Sequence, residues 1–389
     1  MFKKLSILTA ILAAIALAAC ASPGGGPGGP SGGPGGDDGG DVAAPAAADS
    51  LDSELSVYNW AEYIDEQVLA DYEEEFGVTI IYDTYASNED LLAKLQAGAE
   101  GYDVIFPSDY MVSIMIGQDL LAKIDADAMS NFANMNSAFT DAPFDPGNEH
   151  CVPYQWGTTG IGYRAGHEYF GDNPPTSWAS LFDPEELAKY EGGGINVLND
   201  PRELPAAAAI YLGFDANTED PDELAQIQET ILAAKPFWKT FNSEDYTSSL
   251  LVPDEVVLSH GWSGGVAAAY YETFDEETED GNWYYVIPEE GAVKWLDNVC
   301  ITEASTRKGT AAHFINYILG AEAGAAITNF TYYASPNEAA KEFILPEILE
   351  DPSIFPPAEV EEKLIWLTET SDDAALAYDK LWTAVKAGN

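Results

Sequence analysis

The sequence predicts an α/β protein of two lobes, and two observations carry that expectation. Short strand-like runs alternate with helical stretches along the body of the chain, the sign of an α/β architecture. The body from Leu51 to Asn389 is ample for a large core, and its size suggests two lobes. An aromatic content of 12% fits a globular protein with aromatic-lined surfaces. There is no internal repeat.

The N-terminus reads as an export signal. Lys3 and Lys4 form a short basic start, followed by an apolar run from Leu5 to Ala19. At about 1.5 Å per helical residue the run reaches roughly 22 Å, short of a hydrocarbon core of about 30 Å. Residues 1–19 therefore read as a signal peptide. The run ends in Leu17-Ala18-Ala19-Cys20, which resembles a bacterial lipobox and predicts cleavage before a lipidated Cys20. Residues 20–50 form a Gly/Pro/Ala/Ser tract with little to bury, the composition of a flexible tether. The expected location is extracytoplasmic, on a lipid anchor at the periplasmic or outer face of the cell membrane.

The folded elements follow in order. Residues 55–60 read as a strand, 65–76 as a helix stopped by Gly77, and 78–82 as a second strand. A helix over 88–97 leads to a third strand over 103–106, stopped by Pro107. A long β-rich stretch runs from Cys151 to Tyr163. Residues 195–198 and 256–259 look like buried strands with helical sequence downstream, and 283–287 and 293–301 are also strand-like. Helices are expected over 305–319 and 372–386.

Charge excludes one class of partner. Asp and Glu outnumber Lys and Arg 66 to 16, for a formal net charge of −50. Nucleic acid is excluded, because phosphate binding needs the opposite sign. A solvated acidic surface explains most of this excess, and a field that concentrates cations is compatible with it. The cysteines lie in no metal-ligand spacing and the four His residues are scattered, so neither metal nor cofactor is expected.

In open α/β sheets, ligands bind beyond the carboxyl ends of the strands. Trp60 ends the first strand, with Glu62 and Tyr63 just beyond it. Ser108, Asp109 and Tyr110 follow the third, Asp200 and Glu203 follow the strand at 195–198, and Trp262 follows that at 256–259. Aromatics and carboxylates recur at these ends, the pairing that a cationic amine requires.

Trp295-Leu296-Asp297 is the sharpest local feature. On a strand, Trp295 and Asp297 project from one face, and a ring beside a carboxylate suits an alkylammonium group. A core Trp beside a solvated Asp is the plainer alternative. In Asn199-Asp200-Pro201-Arg202-Glu203, a capping box with Asp200 at N-cap, Pro201 at N1 and Glu203 at N3 accounts for the residue types. If Asp200 is occupied in capping, Glu203 is the freer ligand.

Two rival readings exist. Gly261-Trp262-Ser263-Gly264-Gly265 matches the nucleophile elbow of serine hydrolases, with Asp297 and His313 following in hydrolase order. Against it, His313 lies inside a helical run and no stretch suits an oxyanion hole. Tyr332-Tyr333 is similar to the paired tyrosines of ferric-binding proteins, yet no His or carboxylate partner is apparent by spacing.

Over nearly its whole mature length the chain resembles the spermidine/putrescine-binding proteins of ABC import systems. The matching segments include Tyr58-Asn59-Trp60-Ala61-Glu62-Tyr63, Tyr85-Ala86-Ser87-Asn88-Glu89, Pro107-Ser108-Asp109-Tyr110 and Pro153-Tyr154-Gln155-Trp156-Gly157. Asp200-Pro201-Arg202-Glu203, Phe241-Asn242-Ser243, Trp295-Leu296-Asp297 and Ser335-Pro336-Asn337 continue it in order. The resemblance implies a type II periplasmic-binding-protein-like fold with the ligand cleft between lobes. Lobe 1 would span 51–152 and 302–345, and lobe 2 would span 156–297 and 355–389. It implies amine-binding carboxylates at Asp200, Glu203, Asp297 and, more weakly, Glu62. The implied aromatic box is Trp60, Tyr63, Tyr110, Trp262, Trp295 and Tyr333, with polar contacts from Ser108 and Ser243. A family Thr is here Ala61, and a family Gln is replaced near Thr368. The implied partners are a polyamine and an ABC permease, with the membrane reached only through the lipid anchor and the protein monomeric. The implied activity is capture and delivery, not catalysis.

In such a two-lobed binder the outgoing and returning strands commonly run side by side at the hinge. Cys151 opens one and Cys300 closes the other, so a disulfide between them is expected, with two buried free thiols as the alternative.

Overall fold

The computed structural model describes residues 42–98, 101–171, 173–190 and 192–387. The expected signal peptide, Cys20 and most of the tether lie outside the described residues.

Folded structure begins before Leu51. Ala43 is buried and forms a parallel bridge to Ile124, with Ala43 N donating to Lys123 O at 2.7 Å and Asp125 N to Ala43 O at 2.8 Å. Ala46 N donates to Gly309 O at 3.0 Å. The tether expected to reach residue 50 therefore gives way at its C-terminal end. Small side chains let this backbone pack closely, and its hydrogen bonds to the body need no apolar side chains.

From there strands and helices alternate in order: β1 (Glu54–Trp60), α1 (Glu66–Phe76), β2 (Thr79–Tyr85), α2 (Asn88–Gln96), β3 (Val104–Ile105) and α3 (Asp109–Gly117). Next come β4 (Cys151–Arg164), β5 (Ile195–Val197), α4 (Glu203–Leu212), α5 (Pro221–Ala234), β6 (Thr240–Phe241), β7 (Leu258–Trp262) and α6 (Ser263–Glu272). The chain continues with β8 (Trp283–Val286), β9 (Ala292–Ile301), α7 (Lys308–Ile318), α8 (Ala321–Thr331), β10 (Leu364–Trp366) and α9 (Asp372–Ala387). Local chemistry sets the boundaries. Asp65 accepts from Gln67 N to start α1, and Gly77 at φ 69° ends it in the left-handed conformation that glycine adopts without strain. Ser87 caps α2 by accepting from Asp90 N.

The strands form one sheet in the order β2-β1-β3-β9-β4-β7-β5-β6, with β10 on β9 and β8 on β4. Its outer wings are parallel: β1 with β2 and β3, and β5 with β6 and β7. Between them β4 and β9 run antiparallel from Cys151↔Cys300 to Thr159↔Val293. These two long strands carry the chain from one wing to the other. Cys151 and Cys300 face each other in register, 4.5 Å apart at Cα, and their sulfurs are bonded. Both are fully buried among the core side chains.

This architecture places ligand chemistry in the middle. The carboxyl ends of β1, β3, β5 and β7 all point toward the ground between the wings, where β9 presents Trp295 and Asp297.

Candidate functional site

A cavity of about 180 Å³ occupies that ground, and all twelve side chains singled out as ligand contacts lie on its wall. Which charges are buried there decides what it can hold.

Asp297 is 4% exposed on β9. Tyr63 Oη donates to its Oδ2 at 2.7 Å and Ser108 Oγ to its Oδ1 at 2.6 Å. Ser108 is itself held by Asn88, whose Nδ2 donates to Ser108 Oγ at 3.0 Å and whose Oδ1 accepts Ser108 N at 3.1 Å. Burial pushes the Asp297 carboxyl up to about 7, and the bonds from Ser108 and Tyr63 pull the other way. Trp295 faces the cavity beside it, edge-on to Tyr333 with ring centroids 5.2 Å apart. A Cβ at Gly157 would meet the Trp295 ring at 2.7 Å, so glycine there makes room for the indole.

The second anionic position lies where β5 leads into α4. Asp200 Oδ1 accepts from the backbone N–H of Arg202 and of Glu203, each at 2.9 Å. That is capping chemistry, although the helix itself starts at Glu203 rather than at Pro201. Glu203 is buried at the first turn, and its Oε2 has no hydrogen-bond partner among the described residues. Burial, and then the charge of Asp200, hold its carboxyl well above the ordinary range. Arg202, 7% exposed, stacks 5.0 Å over Tyr110 and 5.1 Å over Tyr378, and its Nη2 donates to Thr368 O at 3.1 Å. It offsets part of the negative charge.

Two acidic residues that the resemblance does not single out belong to this neighbourhood, Asp109 from among the strand-end candidates and Glu89. Asp109, the residue between Ser108 and Tyr110, lines the cavity and is 3% exposed. Among the described residues its carboxylate accepts only from the N–H of Tyr110 at 2.7 Å and of Leu296 at 3.3 Å, and burial raises it to about 8. Glu89 accepts from Tyr110 Oη at 3.0 Å, and burial followed by the charge of Asp200 raises it to about 7. Its position at a strand end was a signal for Asp109. Nothing local marks Glu89, whose burial comes from packing between distant segments.

Rings close the remaining sides. Trp60 donates from Nε1 to Phe106 O at 2.9 Å and meets Trp262 edge-on at 5.9 Å. Tyr63 and Tyr333 meet at 5.2 Å. Ser243 Oγ is buried without a partner among the described residues. Glu62 lies exposed at the rim with φ 53°, taking a hydrogen bond from Ser248 Oγ at 3.0 Å. Ala61 and Leu367 also line the cavity, so Leu367, rather than Thr368, faces the ligand space.

The rival readings fail on placement. Ser263 is buried at the start of α6, with Thr158 N donating weakly to its Oγ at 3.4 Å. Asp297 is engaged by Tyr63 and Ser108, and His313 pairs with Tyr72 at 3.0 Å on α7, so no Ser–His–Asp relay forms. Tyr332 stacks on Tyr271 at 4.7 Å while Tyr333 faces the cavity, which separates the two phenols. No group of three metal-ligating side chains occurs among the described residues, nor does any helix long and apolar enough to cross a membrane.

Comparison with known proteins bears on the family and the fold. The family model of bacterial extracellular solute-binding proteins matches residues 67–356. The putrescine-binding periplasmic protein SpuD of Pseudomonas aeruginosa is 36% identical, over 86% of this chain and 92% of its own. The spermidine/putrescine-binding periplasmic protein of Salmonella typhimurium is 32% identical, over 88% of this chain and 94% of its own. A solved structure from Listeria monocytogenes, titled as a spermidine/putrescine ABC transporter, superposes with a TM-score of 0.79 at 29% identity, covering 87% of this chain and all of that one. With the match spanning most of the chain and its two-winged sheet, the protein belongs to the family of bacterial extracellular solute-binding proteins.

Proposed function

We propose that the protein captures a linear polyamine outside the cytoplasmic membrane and hands it to an ABC permease. The observation that carries this reading is the pairing of two buried anionic positions, Asp297 and Asp200–Glu203, in one ring-walled cavity. An ammonium leaving water loses several kcal/mol of solvation, which only a fixed opposite charge restores. A ring face adds about 0.5–2 kcal/mol of cation–π attraction and excludes the methylenes from water. The names of the relatives, which bind putrescine or spermidine, support the same ligand class.

The wings act as lobes, 51–152 with 302–345 against 156–297 with 355–389, and β4 and β9 serve as the hinge. Closure on the amine completes the site, and the closed form docks on the permease. Cys20 would carry the lipid that keeps the receptor at the membrane surface. Catalysis has no place in this scheme.

Calorimetric titration with putrescine, cadaverine, spermidine and spermine tests it. Saturable micromolar or tighter binding of at least one is expected, abolished or strongly weakened by Asp297→Asn. If no amine in the panel binds the folded protein, the reading fails.

A further inference from the structure

A second cavity, of about 980 Å³, lies between α6, β8 and the segment over 345–360. Gly265 and Ala268 of α6 face the first cavity, whereas Val266, Ala267, Tyr270 and Tyr271 face this one. The chain divides in the same way after α8. Tyr332 takes the left-handed conformation at φ 59°, uncommon for a bulky side chain, and lines the second cavity while Tyr333 lines the first.

Its walls are largely aromatic. Tyr271 stacks on Tyr332 at 4.7 Å and donates from Oη to Glu347 O at 3.0 Å, which ties α6 to the 345–360 segment. Tyr270 meets Tyr284 of β8 edge-on at 5.5 Å. At the edge Phe274, Tyr284 and Leu345 are 44%, 36% and 46% exposed, on a chain whose net charge is −50.

Charge indicates what covers these rings. Glu347 and Asp351 line the cavity, and no Lys or Arg is among the described residues that do so. Neither carboxylate has an ion-pair partner among the described residues. Ser353 holds Asp351 in place, its N and Oγ donating to Oδ1 at 2.8 and 2.6 Å. Oδ2 carries no hydrogen bond among the described residues. Ring faces beside carboxylates attract an organic cation and repel an anion. A second copy of this chain would bring the same negative charge against them.

We infer that this cavity is a second binding site, for an amphipathic monocation: a ring or short apolar body bearing one ammonium. It is coupled to the first cavity through α6. That helix starts directly after Trp262, which meets Trp60 of the other wing at 5.9 Å. It also packs without slack on Tyr333, since a Cβ at Gly264 would stand 2.5 Å from that ring. An occupant that holds α6 against the 345–360 segment favours the arrangement in which the two wings meet, and so favours capture.

The probe is benzyltrimethylammonium, with benzenesulfonate as its anionic counterpart, titrated into the full chain by calorimetry. The cation should bind saturably and the anion should not. Asp351→Asn and Phe274→Ala, each checked for native folding by thermal denaturation, should weaken the cation by about fivefold, while Asp297→Asn leaves it within about twofold. Absence of saturable binding overturns the inference, as does equal binding of cation and anion. Loss on Asp297→Asn but not on Asp351→Asn would put the probe in the first cavity and also overturn it. So would a dimer in solution that Phe274→Ala dissociates, because a second copy would then cover the rings. The coupling rests on the polyamine reading above. Saturating probe should tighten spermidine by about fivefold, and spermidine should tighten the probe by the same factor. Independent binding overturns the coupling. Failure of spermidine to bind at all sinks the polyamine reading instead, and the probe titration alone then decides the second site.

Discussion

Tyr63 and Asp297, 234 positions apart in the chain, meet at 2.7 Å, the phenol donating to the carboxylate. One residue follows the end of β1 and the other sits on the strand that crosses between the wings. The contact holds a partly neutral carboxyl in place before any ligand arrives. Removing the donor should loosen Asp297 without removing its charge. Tyr63→Phe is expected to weaken polyamine binding by about 0.5–1.5 kcal/mol, and Asp297→Asn by about 2–5 kcal/mol, because the second leaves a buried ammonium unpaired. Calorimetry on both variants checks the order. A larger loss in the Phe variant would mean that Asp297 is a structural anchor.

Binding should be linked to protons. Burial raises Asp297 and Glu89 to about 7 and Asp109 to about 8, against ordinary carboxyl values of about 4. A carboxyl with a raised folded value stabilises the ligand-free protein fully below the unfolded value, and this stability is lost as pH rises through the folded value. For these groups the loss runs from about pH 4 to about pH 8. An ammonium ligand prefers the ionised form, so the sign reverses for affinity. Polyamine binding is expected to tighten by roughly tenfold or more between pH 6 and pH 8, with protons released on binding. Titration in two buffers of different ionisation enthalpy measures the release, and Asp297→Asn should diminish it. Affinity independent of pH over this range would refute the linkage.

Much of the site was legible because it follows strand geometry. Trp295 and Asp297 share a face by the two-residue period, and Trp60, Ser108, Asp200 and Trp262 were found because ligands gather at strand ends. Glu89 was not legible. Its significance comes from its place beside Tyr110 and the charge of Asp200, neighbours brought together by the fold, and no local spacing encodes that. The same applies to residues 42–50, read as tether for lack of apolar side chains but fixed through backbone hydrogen bonds. The hydrolase motif erred in the opposite direction: the local pattern around Ser263 is complete, and only three-dimensional placement separates it from His313.

Gly157 on β4 should be intolerant of a side chain. An added Cβ would stand 2.7 Å from the Trp295 ring and 3.0 Å from Ser263 Oγ, inside van der Waals contact. Gly157→Ala is expected to cost about 1–3 kcal/mol of stability by overpacking and to tilt the indole off its place beside Asp297. Thermal denaturation and a spermidine titration, read together, check both effects. An alanine variant with native stability and affinity would show that the indole is free to move.

Arg202 should resist even a conservative change. Its guanidinium lies between the rings of Tyr110 and Tyr378 while Nη2 reaches Thr368 O, so one planar cation joins α3, α9 and the segment after β10. It also carries positive charge toward Asp200, which lowers that carboxyl against the rise caused by burial. Lysine keeps the charge but cannot stack as a plane between two rings while donating sideways. Arg202→Lys is therefore expected to destabilise the protein by about 1–3 kcal/mol and Arg202→Met by about 3–5 kcal/mol, the latter leaving buried carboxylates uncompensated. The pH profile separates packing from charge. Lysine should preserve the pH dependence of polyamine affinity, whereas methionine should move its rise to higher pH, because Asp200 and Glu89 lose the cation that favours their ionised forms. Identical pH profiles for the two variants would show that Arg202 acts through packing alone.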